Sequence, residues 1–392
     1  MSTKSTAVFL NSPYLGGAER SMVLQTTQFP SGSEVLFFIP ILKSDPDQAK
    51  DLTQYIRKLN GRAQVRYFNF PEVLYGVSRS SRIVGIFFLI FSLAKLVFGL
   101  RKCKLKNFDF VWANGNKVGF PLYLWSLIFF FRGNFVWHFR DYPEKKGLYG
   151  LIWKLYKLPR FFNLILVANS NSVADTLRAL NPFKASIFTL YNPAGNMPHA
   201  PRVKSNNEGI TLAMVSMVAP WKGVRFLLEW AHFFERELTE LGVVGVYHFG
   251  GDIYKTSGEH AGHFLELREL EERLASTLWQ FKGHVAPEEI YPNIDVLIHP
   301  SLRAEPFGRV ITEAYSAGLP VISTALGGAS ELVAPNSDSR FEQGDSQDLF
   351  NKIKNLLENP QVKRDGIEFG RSKLLEIEPQ IPATLAKIFN SN

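Results

Sequence analysis

HPSLRAEPFGRVITEAYSAGLPVISTALGGASELV, residues 299–333, is the stretch on which the fold turns. A consecutive apolar run, 296–299, leads into it, and a second, 320–323, lies inside it. Apolar residues in sequence, rather than in alternation, mark strands covered on both faces, as in parallel sheets. The segment between them predicts a helix starting near 307–308. Glu305 stands just before that start and Glu313 one to two turns inside, eight residues apart. A helix start leaves backbone N–H groups unpaired, here those of Phe307, Gly308 and Arg309, and so makes a site for anions and hydroxyls. Gly308 lets a ligand approach the backbone closely. A carboxylate on each side can accept hydrogen bonds from vicinal hydroxyls, as proteins holding sugars and riboses do.

Working outward, the same strand signature recurs at 7–10, 35–39, 108–113, 135–139 and 164–168, and again at 210–215 and 243–249. Helix-like stretches alternate with these runs, which predicts an α/β fold with two parallel sheets. Residues 192–209, rich in Pro, Asn, Gly and Ala, carry no strand or helix pattern and read as the joint. The expected division is a first domain at 1–195, a linker at 196–209 and a second domain at 210–375. A terminal helix at 376–392 would pack back on the first domain. Charge follows this division. Residues 1–200 hold 25 Lys and Arg against 10 Asp and Glu, a net of +15, while residues 201–392 hold 19 against 26, a net of −7. The basic half calls for an anionic partner, nucleic acid or a membrane face, with a purely solvated basic surface as the plain alternative. The single cysteine, Cys103, excludes an internal disulfide and a cysteine-rich metal module. Residues 1–6 do not form a basic-then-apolar leader, so a cytoplasmic location is expected.

The phrase E-P-F-G-x-V-x-x-E-A at 305–314, with A-G-x-P-V-I-x-T at 317–324 after it, resembles the donor-binding core of family-4 (group 1) glycosyltransferases. Those enzymes have the GT-B architecture: two Rossmann-like, doubly wound domains facing a central cleft. The resemblance implies that Glu305 approaches the donor sugar hydroxyls and Glu313 takes the nucleoside ribose. Phe307, Gly308 and Arg309 would lie along the sugar and diphosphate. Other parts agree in order: Gly16 and Gly17 in the loop after the first strand, His138 at a later strand end near the reacting sugar, and Lys222-Gly223 on the diphosphate. One departure stands out. Ser216 and Met217 occupy the positions where the family carries Gly and Arg, so a bidentate cation is missing. Arg303, Arg309 and Arg225 are candidate replacements.

The resemblance further implies a retaining, metal-independent hexosyltransferase using a nucleoside diphosphate sugar as donor substrate and no cofactor. Its acceptor would be a saccharide or lipid-linked saccharide in cell-surface polysaccharide assembly. Two other readings stay open: a catalytically weakened sugar-nucleotide-binding protein, and a sugar-nucleotide epimerase on the same fold. Other motifs carry less weight. Asp45-Pro46-Asp47 reads as a solvated turn, and His260-x-x-His263 lacks a third metal ligand. Basic clusters without RNA-type aromatic motifs argue against specific nucleic-acid recognition.

Residues 83–100 are the most apolar stretch, 18 residues with one charge, Lys95. That is short for a membrane span. As a helix it would gather Gly85, Phe88, Ser92, Lys95, Gly99 and Lys102 on one small or polar stripe, with apolar residues elsewhere. Arg79, Arg82, Arg101, Lys102, Lys104 and Lys106 flank it. A peripheral helix on a lipid surface and a core helix are both open. Residues 120–131 read as a core helix.

Overall fold

The computed structural model describes residues 4–42, 45–61, 63–75, 86–143, 158–180, 184–195, 197–198, 209–251, 262–335 and 337–391. The chain forms two compact units, Met1–Pro193 with Pro379–Asn392, and Ala194–Glu378. The first unit contains β1 (Ser5–Phe9), β2 (Glu34–Ile41), β3 (Gln64–Asn69), β4 (Phe110–Asn114), β5 (Asn134–Phe139), β6 (Asn163–Ala168) and β7 (Ser186–Thr189). The second contains β8 (Ile210–Val215), β9 (Val243–Phe249), β10 (Trp279–Gly283), β11 (Val296–His299) and β12 (Val321–Ser323).

Each unit holds one wholly parallel sheet, in the orders β3-β2-β1-β4-β5-β6-β7 and β10-β9-β8-β11-β12. In both sheets the chain reverses its direction of strand addition beside the first strand, between β1 and β4 and between β8 and β11. Such a point opens a crevice at the carboxyl ends of the strands. The central strands are the consecutive apolar runs read from the sequence. The strands that sequence missed, β3, β7 and β10, all lie at sheet edges. An edge strand is half solvated, so its apolar residues alternate or thin out; β3 (QVRYFN) exposes four of its six residues.

The joints fall elsewhere than the sequence placed them. The second unit already begins at Ala194, whose N–H donates to Glu378 Oε1 at 2.8 Å, and Ser316 Oγ donates to the Gly195 carbonyl at 2.9 Å. Most of the expected linker, 196 and 199–208, lies outside the described residues. The Gln380–Phe389 helix belongs to the first unit, where Phe389 packs on Phe29 and Phe110.

The apolar stretch forms a helix at Ile86–Gly99, and its predicted stripe needs correction. Ser92 is buried together with Leu96, Val97 and Leu100, while Phe88 is turned outward with Phe87, Ile90, Phe91 and Phe98. A sequence apolar on every side has no moment to say which side faces in; the packing of Leu89 and Leu93 on the first core decides it. Gly85, Arg79 and Arg82 lie outside the described residues. The core-helix reading of 120–131 corresponds to a helix at Asn116–Ile128, largely buried.

Candidate functional site

In the second unit the loop after β11 brings Glu305 against the segment after β12. Its N–H donates to the Leu326 carbonyl (3.1 Å), its carbonyl accepts from Gly328 (2.7 Å), and it bridges to Gly327 in parallel fashion. Gly308, at φ +97°, then caps the Arg309–Ser316 helix. The carboxylate is 4% exposed. Lys222 Nζ donates to its Oε1, and Ser301 Oγ donates to the same oxygen at 2.7 Å. His299 Nε2 stands 3.3 Å away. Ser323 Oγ accepts the Ala325 N–H (2.9 Å) and lies 3.0 Å from His299 Nδ1. Burial by itself would raise the carboxyl's pKa, but the Lys222 charge and the bonds from His299 and Lys222 hold it far below the ordinary range. Glu305 is therefore a fixed anion.

Lys222 ends a short turn, Pro220–Lys222, and its ammonium lies 4.1 Å from the Trp221 ring centroid. An ammonium has three donors, so its bond to Glu305 leaves donors for a second anion. Gly223 follows at φ +82°, where a Cβ would fall 2.1 Å from the Pro300 carbonyl oxygen. Only glycine lets the Lys222 turn lie this close to the loop bearing Ser301 and Glu305.

Glu313, also 4% exposed, is held on both sides. The Tyr291 hydroxyl donates to Oε2 at 2.7 Å, and Arg309 Nε stands 2.8 Å from Oε1 as an ion pair without hydrogen-bond alignment. Burial, then the Glu313 charge, pushes the Tyr291 phenol well above its usual pKa, so it stays a donor. Phe307 is buried beneath the helix start. Glu305, Glu313, Lys222, Gly223, Phe307, Gly308 and Arg309, the residues named from the sequence for this site, lie in the second unit around one helix start. The sequence had missed His299, Ser301 and Tyr291 as supporting groups. The first two were in the quoted stretch, but nothing local aims their side chains. Of the replacement cations, Arg309 is engaged with Glu313, and Arg225 pairs with Glu229 at 2.9 Å. Arg303 is exposed, two residues before Glu305.

The first unit has its own polar cluster at the strand ends. Gly16 caps the Gly17–Thr26 helix, whose first turn carries Glu19, 3% exposed. Glu19 Oε1 has no hydrogen-bond partner, and burial raises its pKa to about 7 despite its own and the Asn11 backbone N–H groups, Arg140 and Lys117. Arg140 spends its guanidinium on Asn192 (2.6 Å), Asn114 (2.7 Å) and Gln25 (2.9 Å). Burial also pushes the Lys117 ammonium down.

His138 is the penultimate residue of β5, at the strand end where the sequence places it, but the imidazole is 0% exposed, with its ring 5.9 Å from that of Trp112. Neither ring nitrogen has a hydrogen-bond partner. Burial, then Arg140, holds its pKa well below 6.5, so it is neutral. Gly16 is half-buried and Gly17 exposed. Asp45 accepts the Asp47 N–H of its own turn at 3.0 Å, and His263 lies 3.5 Å from Glu266. Among the described residues no cluster of His, Cys, Asp and Glu could hold a metal ion.

Residues 199–373 match the family model of glycosyl transferases group 1. The sulfoquinovosyl transferase SQD2 of Arabidopsis thaliana is 30% identical over 90 residues, 21% of this chain and 18% of that protein. The phosphatidylinositol N-acetylglucosaminyltransferase gpi3 subunit of Schizosaccharomyces pombe is 27% identical over 196 residues, 50% of this chain and 41% of that protein. These matches span less than half the length of either relative. The structure of Anabaena Alr3699/HepE, solved with UDP and glucose, superposes with a TM-score of 0.72 at 21% identity, covering 98% of this chain and 100% of that one. The two parallel sheets with their helices are thus the GT-B glycosyltransferase fold.

Proposed function

For a chain whose residues 199–373 match the family model of glycosyl transferases group 1, we propose transfer of a hexosyl-type group from a nucleoside diphosphate sugar to a saccharide or lipid-linked saccharide acceptor. The observation that carries this reading is the pair of buried carboxylates, Glu305 and Glu313, braced by separate partners on the two sides of one helix start. Oriented acceptors on both sides of a helix N-terminus suit a ligand with hydroxyls at each end and a diphosphate between them. The activities for which the relatives are named, and the UDP and glucose of the Anabaena protein, support the same donor class.

In this reading Glu305 accepts from the sugar hydroxyls and Glu313 from the ribose. Lys222 turns its remaining donors to the diphosphate, and Gly308 and Phe307 let the backbone reach it. As the glycosidic bond breaks, charge builds on the departing nucleoside diphosphate. Lys222 and the helix start stabilise that charge in place, without reorganising water. With Arg309 and Arg225 engaged, Arg303 is the cation that takes the place of the arginine missing at Met217. Retention of configuration, independence of metal and a role in cell-surface polysaccharide assembly complete the proposal. Acceptor binding falls to the basic first unit, with a cytoplasmic, membrane-proximal location. His138, fully buried here, would donate to a sugar hydroxyl only once its imidazole is uncovered.

The test is a panel of UDP-, GDP- and ADP-sugars assayed for binding and turnover with and without saccharide acceptors. Glu305→Gln and Glu313→Gln should each lower turnover by about 100-fold or more, with unchanged circular dichroism, while Arg303→Ala should mainly raise the donor KM. Wild-type rates in either glutamine variant would refute the site. Binding without turnover would favour the weakened-homologue reading that Met217 suggests. Donor interconversion without acceptor would favour an epimerase.

A further inference from the structure

We propose that the first unit docks on an anionic lipid bilayer through two adjoining aromatic patches: the outward face of the Ile86–Gly99 helix and the turn that ends the Asn116–Ile128 helix. This deepens the acceptor half of the reading above, but its geometry is independent of the donor site.

The helix supplies more apolar surface than the core uses. Its inner seam, Leu96, Val97 and Leu100, is buried, while Phe87 is 87% exposed and Phe88, Ile90, Phe91 and Phe98 are also exposed. A contiguous exposed apolar face of this kind marks an interaction surface. It continues across the fold. The Phe98 ring stands edge-on to Phe129 at 5.7 Å, and beyond Phe129 lies exposed Phe130, whose ring is 5.4 Å from that of exposed Phe161.

Phe130 is the more telling residue. Phe131 N–H donates to the Ser126 carbonyl (3.0 Å) and Phe130 N–H to that of Leu127 (3.4 Å), the hydrogen-bond pattern of a helix end closed by a left-handed residue. Phe130 sits there at φ +52°. Glycine is the inexpensive choice at that position, and a β-carbon costs about 1–2 kcal/mol. A phenylalanine thus stands where glycine is least strained, and beyond its contact with Phe161 its ring remains 60% exposed.

Charge decides the occupant. From residue 73 to residue 140 the sequence has ten Lys and Arg and one acidic residue, Asp109. Lys95, Arg101, Lys102, Lys104, Lys106 and Arg132 are exposed around the two patches, and the Arg101 guanidinium lies 5.4 Å from the Phe129 ring. Protein–protein interfaces are depleted in lysine. Aromatics rimmed by lysine and arginine, with almost no acidic residue, instead suit insertion at the level of lipid phosphates. The helix has 14 residues, a length of about 21 Å, so it lies in the interface and does not cross it. Among the described residues no helix is long and apolar enough to cross a membrane.

Flotation of the full chain with phosphatidylcholine vesicles, with or without phosphatidylglycerol, tests this. Wild type should float with the anionic vesicles, and Phe87→Ser/Phe91→Ser should weaken that binding by about tenfold or more. Lys102→Glu/Lys104→Glu should weaken it by about fivefold per residue changed. Phe130→Gly separates insertion from folding: its melting temperature should equal or exceed that of wild type while vesicle binding falls. Nucleotide-sugar binding should be unchanged in all of these variants, which keeps failure of this proposal distinct from failure of the donor site. No flotation by wild type, unchanged flotation by the phenylalanine variants, or a dimer that Phe87→Ser/Phe91→Ser dissolves in place of vesicle binding would each overturn it.

Discussion

Glu19 and Glu305 are buried carboxyls of the two units, each beside a helix start that follows a strand of its sheet, with 3% and 4% of its surface exposed. Their chemistry is opposite. Glu305 has a lysine, a serine hydroxyl and a histidine on one oxygen, and its pKa falls far below the ordinary range. Glu19 has an unpartnered oxygen, while Arg140 spends its N–H groups on neutral amide oxygens, and its pKa rises to about 7. Burial is the largest influence on both and raises both. Direct contact with a cation, rather than mere proximity to one, reverses its sign. The second unit thus presents a permanent anion, and the first a carboxyl that titrates near neutrality.

The contrast can be broken most forcefully at Lys222. Lys222→Met would leave Glu305 buried without its counter-charge and should lower the stability of the protein by about 3–5 kcal/mol at pH 7, read as a denaturation midpoint. A change below about 1 kcal/mol would mean that Ser301 and His299 suffice.

Glu19→Gln tests the other side. Because folding raises this pKa from 4.5 to about 7, the native state keeps a proton that the unfolded chain gives up. Stability should then fall as pH climbs from about 4.5 to about 7 and level off above. The loss approaches about 3 kcal/mol, from a shift of that size. Glutamine mimics the protonated form, so the variant should match wild type at pH 4.5, lack this decline and be the more stable protein at pH 8. Parallel pH profiles for the two proteins would show that Glu19 does not titrate in this range.

The smallest effect belongs to Ser301→Ala, which removes one of three groups from Glu305 Oε1. A hydrogen bond to a charged acceptor contributes about 1.5–3 kcal/mol, and with Lys222 and His299 still in place the lower figure is expected for stability. A loss equal to that of Lys222→Met would make the serine, and not the cation, the principal partner.

Legibility in the sequence tracked the range of the interaction. The central strands were readable because burial on both faces writes an unbroken apolar run. The edge strands β3, β7 and β10 were not, because half-solvated residues carry a weaker pattern. Glu305, Gly308 and Glu313 were readable as one local phrase. Tyr291, which orients Glu313 from 22 residues away, left no local sign. For the cation absent at Met217 the sequence offered three arginines without showing their direction; in the structure Arg309 pairs with Glu313 and Arg225 with Glu229.

By itself, then, the sequence determined two parallel α/β sheets, the helix start flanked by carboxylates and the charge imbalance between the halves, since periodicity, composition and short-range spacing are properties of the chain. The tertiary structure alone decided which carboxylate is ionised and which face of the Ile86–Gly99 helix meets water. Both depend on what distant segments bring: Lys222 reaches Glu305 across 83 residues, and the first core chooses one side of a helix that is apolar on every side.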